Sequence, residues 1–141
     1  MEKLRRQLAL LLFFSQMMEV FEVTGGNIDR LNYQDATAVI VCFDVTKTYS
    51  LERVESHWKP AISRCDSRVP VVLAGNKVDL RQEDCVTRAE GFSVAERIAA
   101  AAYVECSAKS AESVDRLFTV AATEQCEVSQ CCSCCHRCTV L

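Results

Sequence analysis

Three short stretches hold residue types that could do chemistry. Asn76-Lys77-Val78-Asp79 directly follows the apolar run VPVVLAG (Val69 to Gly75), and Ser107-Ala108-Lys109 directly follows AYVEC (Ala102 to Cys106). The third is the C-terminal CCSCCHRCTVL, Cys131 to Leu141. A carboxylate such as Asp79 can accept two parallel hydrogen bonds, and guanine offers two adjacent donors, its ring N1–H and its exocyclic amino group. Adenine lacks that pair and would leave the carboxylate unsatisfied, which is a strong basis for discrimination. Ser107-Ala108-Lys109 is placed to supply a backbone N–H to the guanine carbonyl, and the Lys77 stem to cover one face of the base. The plain alternative is a cluster of turn residues with no ligand, because turns by themselves favour Asn, Asp and Ser.

These stretches need a frame that brings them together. AVIVCFDV (Ala38 to Val45) is a continuous apolar, β-branched run, which predicts a strand covered on both faces. VPVVLAG predicts a second strand, AYVEC a third, and the alternating MMEVFEV from Met17 a fourth, closed by Thr24-Gly25-Gly26-Asn27. Leu51, Val54, Trp58 and Ile62 fall at helical spacing after Ser50, a candidate N-cap, with Pro60 expected to kink the helix. Trp58 reads as core and His57 as its solvated neighbour. Thr87-x-x-Glu90 predicts a capping box opening a helix with Phe92, Ala95, Ile98 and Ala99 on its apolar side. Val114, Leu117, Phe118 and Ala121 mark the last helix. Strands alternating with helices imply crossover connections, hence a three-layer α/β/α fold with a mostly parallel sheet. Ligands in such sheets bind beyond the carboxyl ends of the strands. That edge carries the loops Thr24 to Asn27, Asn76 to Arg81 and Ser107 to Lys109.

Composition sets limits. A chain of 141 residues, half of them apolar, suits one globular domain. A net charge of -3 argues against nucleic acid as a partner. Cys42, Cys65, Cys85 and Cys106 are scattered as small apolar or loop residues, whereas the other six of the ten cysteines crowd into the end of the chain. A disulfide framework would spread its cysteines, so a reduced, cytosolic setting is expected. Lys3, Arg5 and Arg6 before Leu8 to Phe14 faintly resemble a secretory leader, but the apolar run is short and no small-residue cleavage pattern follows.

VPVVLAGNKVDLR and YVECSAKS resemble the guanine-specificity motifs of small GTPases of the Ras superfamily. SLERVESHWKPAI and the cysteine-rich tail are most similar to the Rho branch. The resemblance implies that Asn76, Lys77 and Asp79 bind the base of GTP or GDP, assisted by Ser107, Ala108 and Lys109. It also implies protein effectors and regulators of Rho type as partners.

The phosphate side departs from the family. The four glycines, Gly25, Gly26, Gly75 and Gly91, give no GxxxxGK spacing, and none is followed by Lys. The family's first strand and helix have no counterpart, so a central sheet edge is expected to be exposed. EVTGGN (Glu22 to Asn27) lines up with the family's Asp-x-x-Gly-Gln: Glu22 stands at the magnesium-linked Asp, Gly25 keeps the phosphate-sensing glycine, and Gly26 replaces the water-orienting glutamine. Glu22 is therefore a weak magnesium candidate, because its extra methylene misplaces an ion with strict octahedral geometry. A base pocket alone supports affinities from micromolar to millimolar, about −8 to −4 kcal/mol. GTP hydrolysis is expected to be weak or absent.

Cys138-Thr139-Val140-Leu141 fits a prenylation signal, with a terminal Leu that favours geranylgeranyl. A single lipid anchors marginally, so Cys131, Cys132, Cys134 and Cys135 are candidate palmitoylation sites. Zinc binding and an unmodified thiol-rich tail remain alternatives. The expectation is a small-GTPase-like domain over residues 1–125, incomplete at its N-terminus, and a lipidated tail over 126–141 at the cytoplasmic face of a membrane. Two rivals stand beside it: a nucleotide-free, membrane-anchored interaction module, and a truncated form of a Rho-type GTPase that folds poorly.

Overall fold

β-branched residues in unbroken runs build the centre of the sheet. A computed structural model describes residues 19–22, 38–63, 68–128 and 137–140. Strand β1 is Glu19–Glu22 and β2 is Ala38–Asp44. Helix α1 (Thr48–Arg53) runs through a π-helical turn, Val54–Trp58, into α2 (Lys59–Ile62). Strand β3 (Val71–Asn76) leads through a 3-10 turn, Val78–Leu80, to α3 (Arg88–Arg97). Strand β4 (Ala102–Glu105), helix α4 (Ala111–Val128) and strand β5 (Arg137–Val140) complete the order.

The strands form one sheet in the order β1-β5-β2-β3-β4, and every pairing is parallel. Side chains alternate between its faces. Val39, Val41, Phe43, Val71 and Leu73 pack with Leu51 of α1, Val54 and Trp58 of the π-helical turn, Val94 and Ala95 of α3, and its C-cap Ile98. Ala38, Ile40, Val72, Ala74, Val104 and Cys106 meet Leu117 and Ala121 of α4 on the other face. This is the three-layer α/β/α arrangement that the strand–helix alternation predicts.

Several local expectations change. Ser50 is not the N-cap: Lys47 occupies that position without a side-chain cap bond. The single Ser50 Oγ hydrogen is instead shared between the carbonyls of Lys47 (2.7 Å) and Asp44 (2.9 Å), and the oxygen accepts from the Asp44 N–H (3.0 Å), tying the helix start to the end of β2. The irregularity around Pro60 is a widened turn, in which the Lys59 N–H reaches back to the Val54 carbonyl. Proline has no N–H to continue the ladder, so the register shifts just before it. The Thr87–Glu90 capping box is present in full. Phe92, however, is exposed, and Ala99 lies beyond the helix in the left-handed region at φ 56. Gly91 and Val94 take the inward positions instead.

The expected bare edge is covered. β5 lies between β1 and β2, with Cys138, Thr139 and Val140 paired to Ala38, Val39 and Ile40 on one side and to Val20, Phe21 and Glu22 on the other. α4 runs to Val128, and Arg137–Val140 pairs in the sheet.

Candidate functional site

Register places the polar residues. Asp44 pairs with Asn76 at the carboxyl end of β2 and β3, and Gly75 pairs with Glu105 at the end of β4. Three consecutive strands therefore deliver their last residues to one edge. Directly after β3, Lys77 takes a left-handed conformation (φ 65, ψ 35), rare for a residue with a side chain. That reversal starts the 3-10 turn that carries Asp79.

The Asp79 carboxylate is gripped from the β4–α4 loop. Its Oδ1 accepts from Ser107 Oγ at 2.6 Å, and its Oδ2 lies 3.1 Å from Lys109 Nζ. The Ser107 hydrogen bond, then the Lys109 contact, hold its pKa below the ordinary aspartate range, so it stays ionised and an acceptor. An ionised carboxylate has about four lone-pair sites, so these contacts leave acceptor capacity for a further bidentate partner. Ser107 is itself fixed: it is buried, its N–H donates to Ser113 Oγ at 3.0 Å, and its Oγ accepts from the Lys109 N–H at 3.2 Å. Ala108 is exposed at the crest of this turn, and among the described residues its N–H has no acceptor. The structure thus brings Asp79, Ser107, Ala108 and Lys109 together.

Asn76 serves the scaffold. Its Oδ1 accepts from Cys106 Sγ at 2.7 Å, which ties the end of β3 to the residue that follows β4. The Val78 N–H reaches the Cys106 carbonyl at 3.4 Å across the same seam. Burial pushes the Cys106 thiol up, keeping it a protonated donor.

Lys77 does something the sequence does not announce. Its Nζ donates to Asp44 Oδ2 at 2.6 Å, while Asp44 Oδ1 accepts from the Thr46 N–H (2.9 Å) and Thr46 Oγ1 (2.6 Å). Burial alone would raise the Asp44 pKa, but the Lys77 and Thr46 hydrogen bonds outweigh it and leave it lowered. Arg81 closes the far side of the loop. It meets Glu105 in a fork, Nη1 to Oε2 at 3.1 Å and Nη2 to Oε1 at 2.5 Å, and its Nε donates to the Val86 carbonyl at 3.1 Å. Tyr103 Oη donates to the same Glu105 Oε1 at 3.0 Å. Asp44, Arg81, Tyr103 and Glu105 were not singled out from the sequence. The only signal for them was their position at strand ends on the ligand edge.

A cleft of about 520 Å³ adjoins Asp79, lined by Thr46, Leu80, Arg81, Gln82, Asp84 and Cys85. It shares only Asp79 with the Asp79–Ser107–Ala108–Lys109 cluster and flanks it.

A model of the Ras family matches residues 24–127. The chain belongs to the Ras family. Ras-family GTPases bind guanine nucleotides, generally with magnesium, and the Ras-family match spans both NKVD and SAK. Other expected sites fall elsewhere. Gly25 and Cys131, Cys132, Cys134 and Cys135 lie outside the described residues. Glu22 ends β1 with its backbone paired to Val140, and Cys138 is in β5. Among the described residues no group of three His, Cys, Asp or Glu side chains is arranged to hold a metal ion. His57, expected to be solvated, is half-buried: its ring lies edge-on to Trp58 at 5.1 Å, and its Nε2 is buried without a hydrogen-bond partner among the described residues. Trp58 is core, as expected.

Proposed function

We propose that this Ras-family chain is a Rho-type signalling protein that retains guanine recognition, hydrolyses GTP weakly or not at all, and is anchored by a lipidated C-terminus at the cytoplasmic face of a membrane. One observation carries the base-reading part: the Asp79 carboxylate, held between Ser107 and Lys109, beside an Ala108 N–H that has no acceptor among the described residues. Asp79 would accept the two guanine donors, and the Ala108 N–H would donate to the guanine carbonyl. Ser107 and Lys109 orient Asp79, and Asn76 braces the two loops through Cys106.

The described residues fit the base and do not fit the phosphates or magnesium. Lys77 Nζ is committed to Asp44, and no described acidic cluster matches an octahedral ion. Lipidation is supported by the Cys-Thr-Val-Leu sequence and by the thiols before it. Among the described residues no helix is long and apolar enough to cross a membrane.

The test is titration with fluorescent GDP, with and without magnesium. Micromolar binding that Asp79→Ala abolishes supports the reading, and no binding by a cooperatively folded chain removes it. A nucleotide-free interaction module is the second reading. The Lys77–Asp44 pair and the completed sheet favour it, since both bring the edge to a satisfied state without a ligand. Partner capture that GDP leaves unchanged would favour this module.

A further inference from the structure

The segment that carries the lipid signal is also a strand. Cys138 is flanked by Val20 and Ala38, Thr139 by Phe21 and Val39, and Val140 by Glu22 and Ile40. In a central parallel strand the backbone N–H and C=O groups are shared between the two neighbours. No third backbone can read these residues while both ladders stand. β1 pairs with no described strand other than β5, so withdrawing β5 leaves β1 without a ladder and bares an edge of β2.

We propose that sheet pairing of Arg137–Val140 and lipid transfer to Cys138 are mutually exclusive states of one segment, so that the sheet gates membrane anchoring. The proposal rests on the lipid-anchor reading above. The chemistry is thioether formation from an isoprenyl diphosphate. The Cys138 sulfur bonds to the allylic carbon, the carbon–oxygen bond to diphosphate breaks, diphosphate leaves, and the thiol proton passes to solvent. A transferase must take the terminal residues as a free extended peptide. It therefore acts on the fraction of molecules in which β5 has opened, and its rate scales with that fraction.

The test compares the full chain with a synthetic peptide of residues 129–141, each given an isoprenyl diphosphate and its transferase. The peptide is expected to react about tenfold faster or more. Val20→Pro with Phe21→Pro breaks the β1–β5 ladder without touching the tail, and is expected to speed transfer to the full chain. Amide exchange of residues 138–140 in the unaltered chain gives a second readout that needs no variant: slow exchange, relative to the peptide, is expected. Equal transfer rates for chain and peptide, or amide exchange as fast as in the peptide, overturn the gate and leave lipid anchoring standing. Absence of transfer even to the peptide overturns the anchor reading, and the gate with it.

Discussion

At the scale of residues, the cluster of Asp79, Ser107, Ala108 and Lys109 proposed to read a base stands out in the sequence because its chemistry is local in kind. An Asp three residues after an Asn at a strand end, and a Ser-Ala-Lys after the next strand, announce themselves by type and spacing. What joins them did not. Lys77–Asp44 and Asn76–Cys106 are separated by 33 and 30 residues, and only the register of parallel strands brings them into contact. Two expectations follow at this scale. Ser107→Ala leaves Asp79 with Lys109 as its remaining partner, so GDP affinity should fall about tenfold, against about a hundredfold or more for Asp79→Ala. Fluorescent-GDP titration separates the two. The Arg81–Glu105 fork supplies the second. The Arg81 hydrogen bonds hold Glu105 below its ordinary value of 4.5 despite burial. A carboxylate with a depressed folded-state pKa contributes stability that is fully present above the unfolded value and lost as pH falls through the folded one. Arg81→Ala should cost about 2–3 kcal/mol at neutral pH, less than a fully buried pair would, and the difference should shrink in acid. Urea melts of both proteins at about pH 7 and about pH 3 check it.

At the scale of elements, strands were easier to read than helix faces. Continuous β-branched runs admit one reading once turn residues bound them, and β2, β3 and β4 fall where those runs lie. Helix α3 misled because Phe92 is large and apolar, yet the ridge facing the sheet is Gly91, Val94, Ala95 and Ile98. The reason is Tyr103. Its ring lies so close to Gly91 that a Cβ there would run into the ring and its hydroxyl. Gly91→Ala should therefore destabilise the fold by about 1–3 kcal/mol by overpacking, and should loosen the Tyr103–Glu105 hydrogen bond. The helix end points the other way. Ala99 is exposed at φ 56, where a Cβ is unfavourable by about 1–2 kcal/mol. Ala99→Gly should raise stability by about 0.5–1 kcal/mol after the extra unfolded-state entropy of glycine is subtracted. Chemical denaturation of the two variants reads both signs. Strand β5 was illegible for a different reason. The four residues Arg137–Val140 are too few to announce a strand, and their pairing partners on both sides, β1 and β2, are supplied only by the assembled sheet.

At the scale of the whole molecule, the sheet edge and the base loops set how much a nucleotide can stabilise the chain. A ligand that binds only the folded state adds RT ln(1 + [L]/Kd). With base contacts alone, a Kd of about 10 μM and about 1 mM GDP would add about 2.7 kcal/mol, whereas a Kd of about 1 mM would add about 0.4 kcal/mol. For a domain of this size those correspond to Tm increases of roughly 8–12 °C and 1–2 °C. Because the proposed contacts go to the base, the shift should be insensitive to magnesium, should be no larger for GTP than for GDP, and should vanish with ADP or in Asp79→Ala. A shift that needs magnesium, or one that grows with the third phosphate, would mean that phosphate groups are held, and Lys77 would then have to leave Asp44 or be bypassed. No shift with either nucleotide, in a chain whose melt is sharp, would leave the completed sheet and the Lys77–Asp44 pair as the resting form of a protein that acts through its surfaces alone.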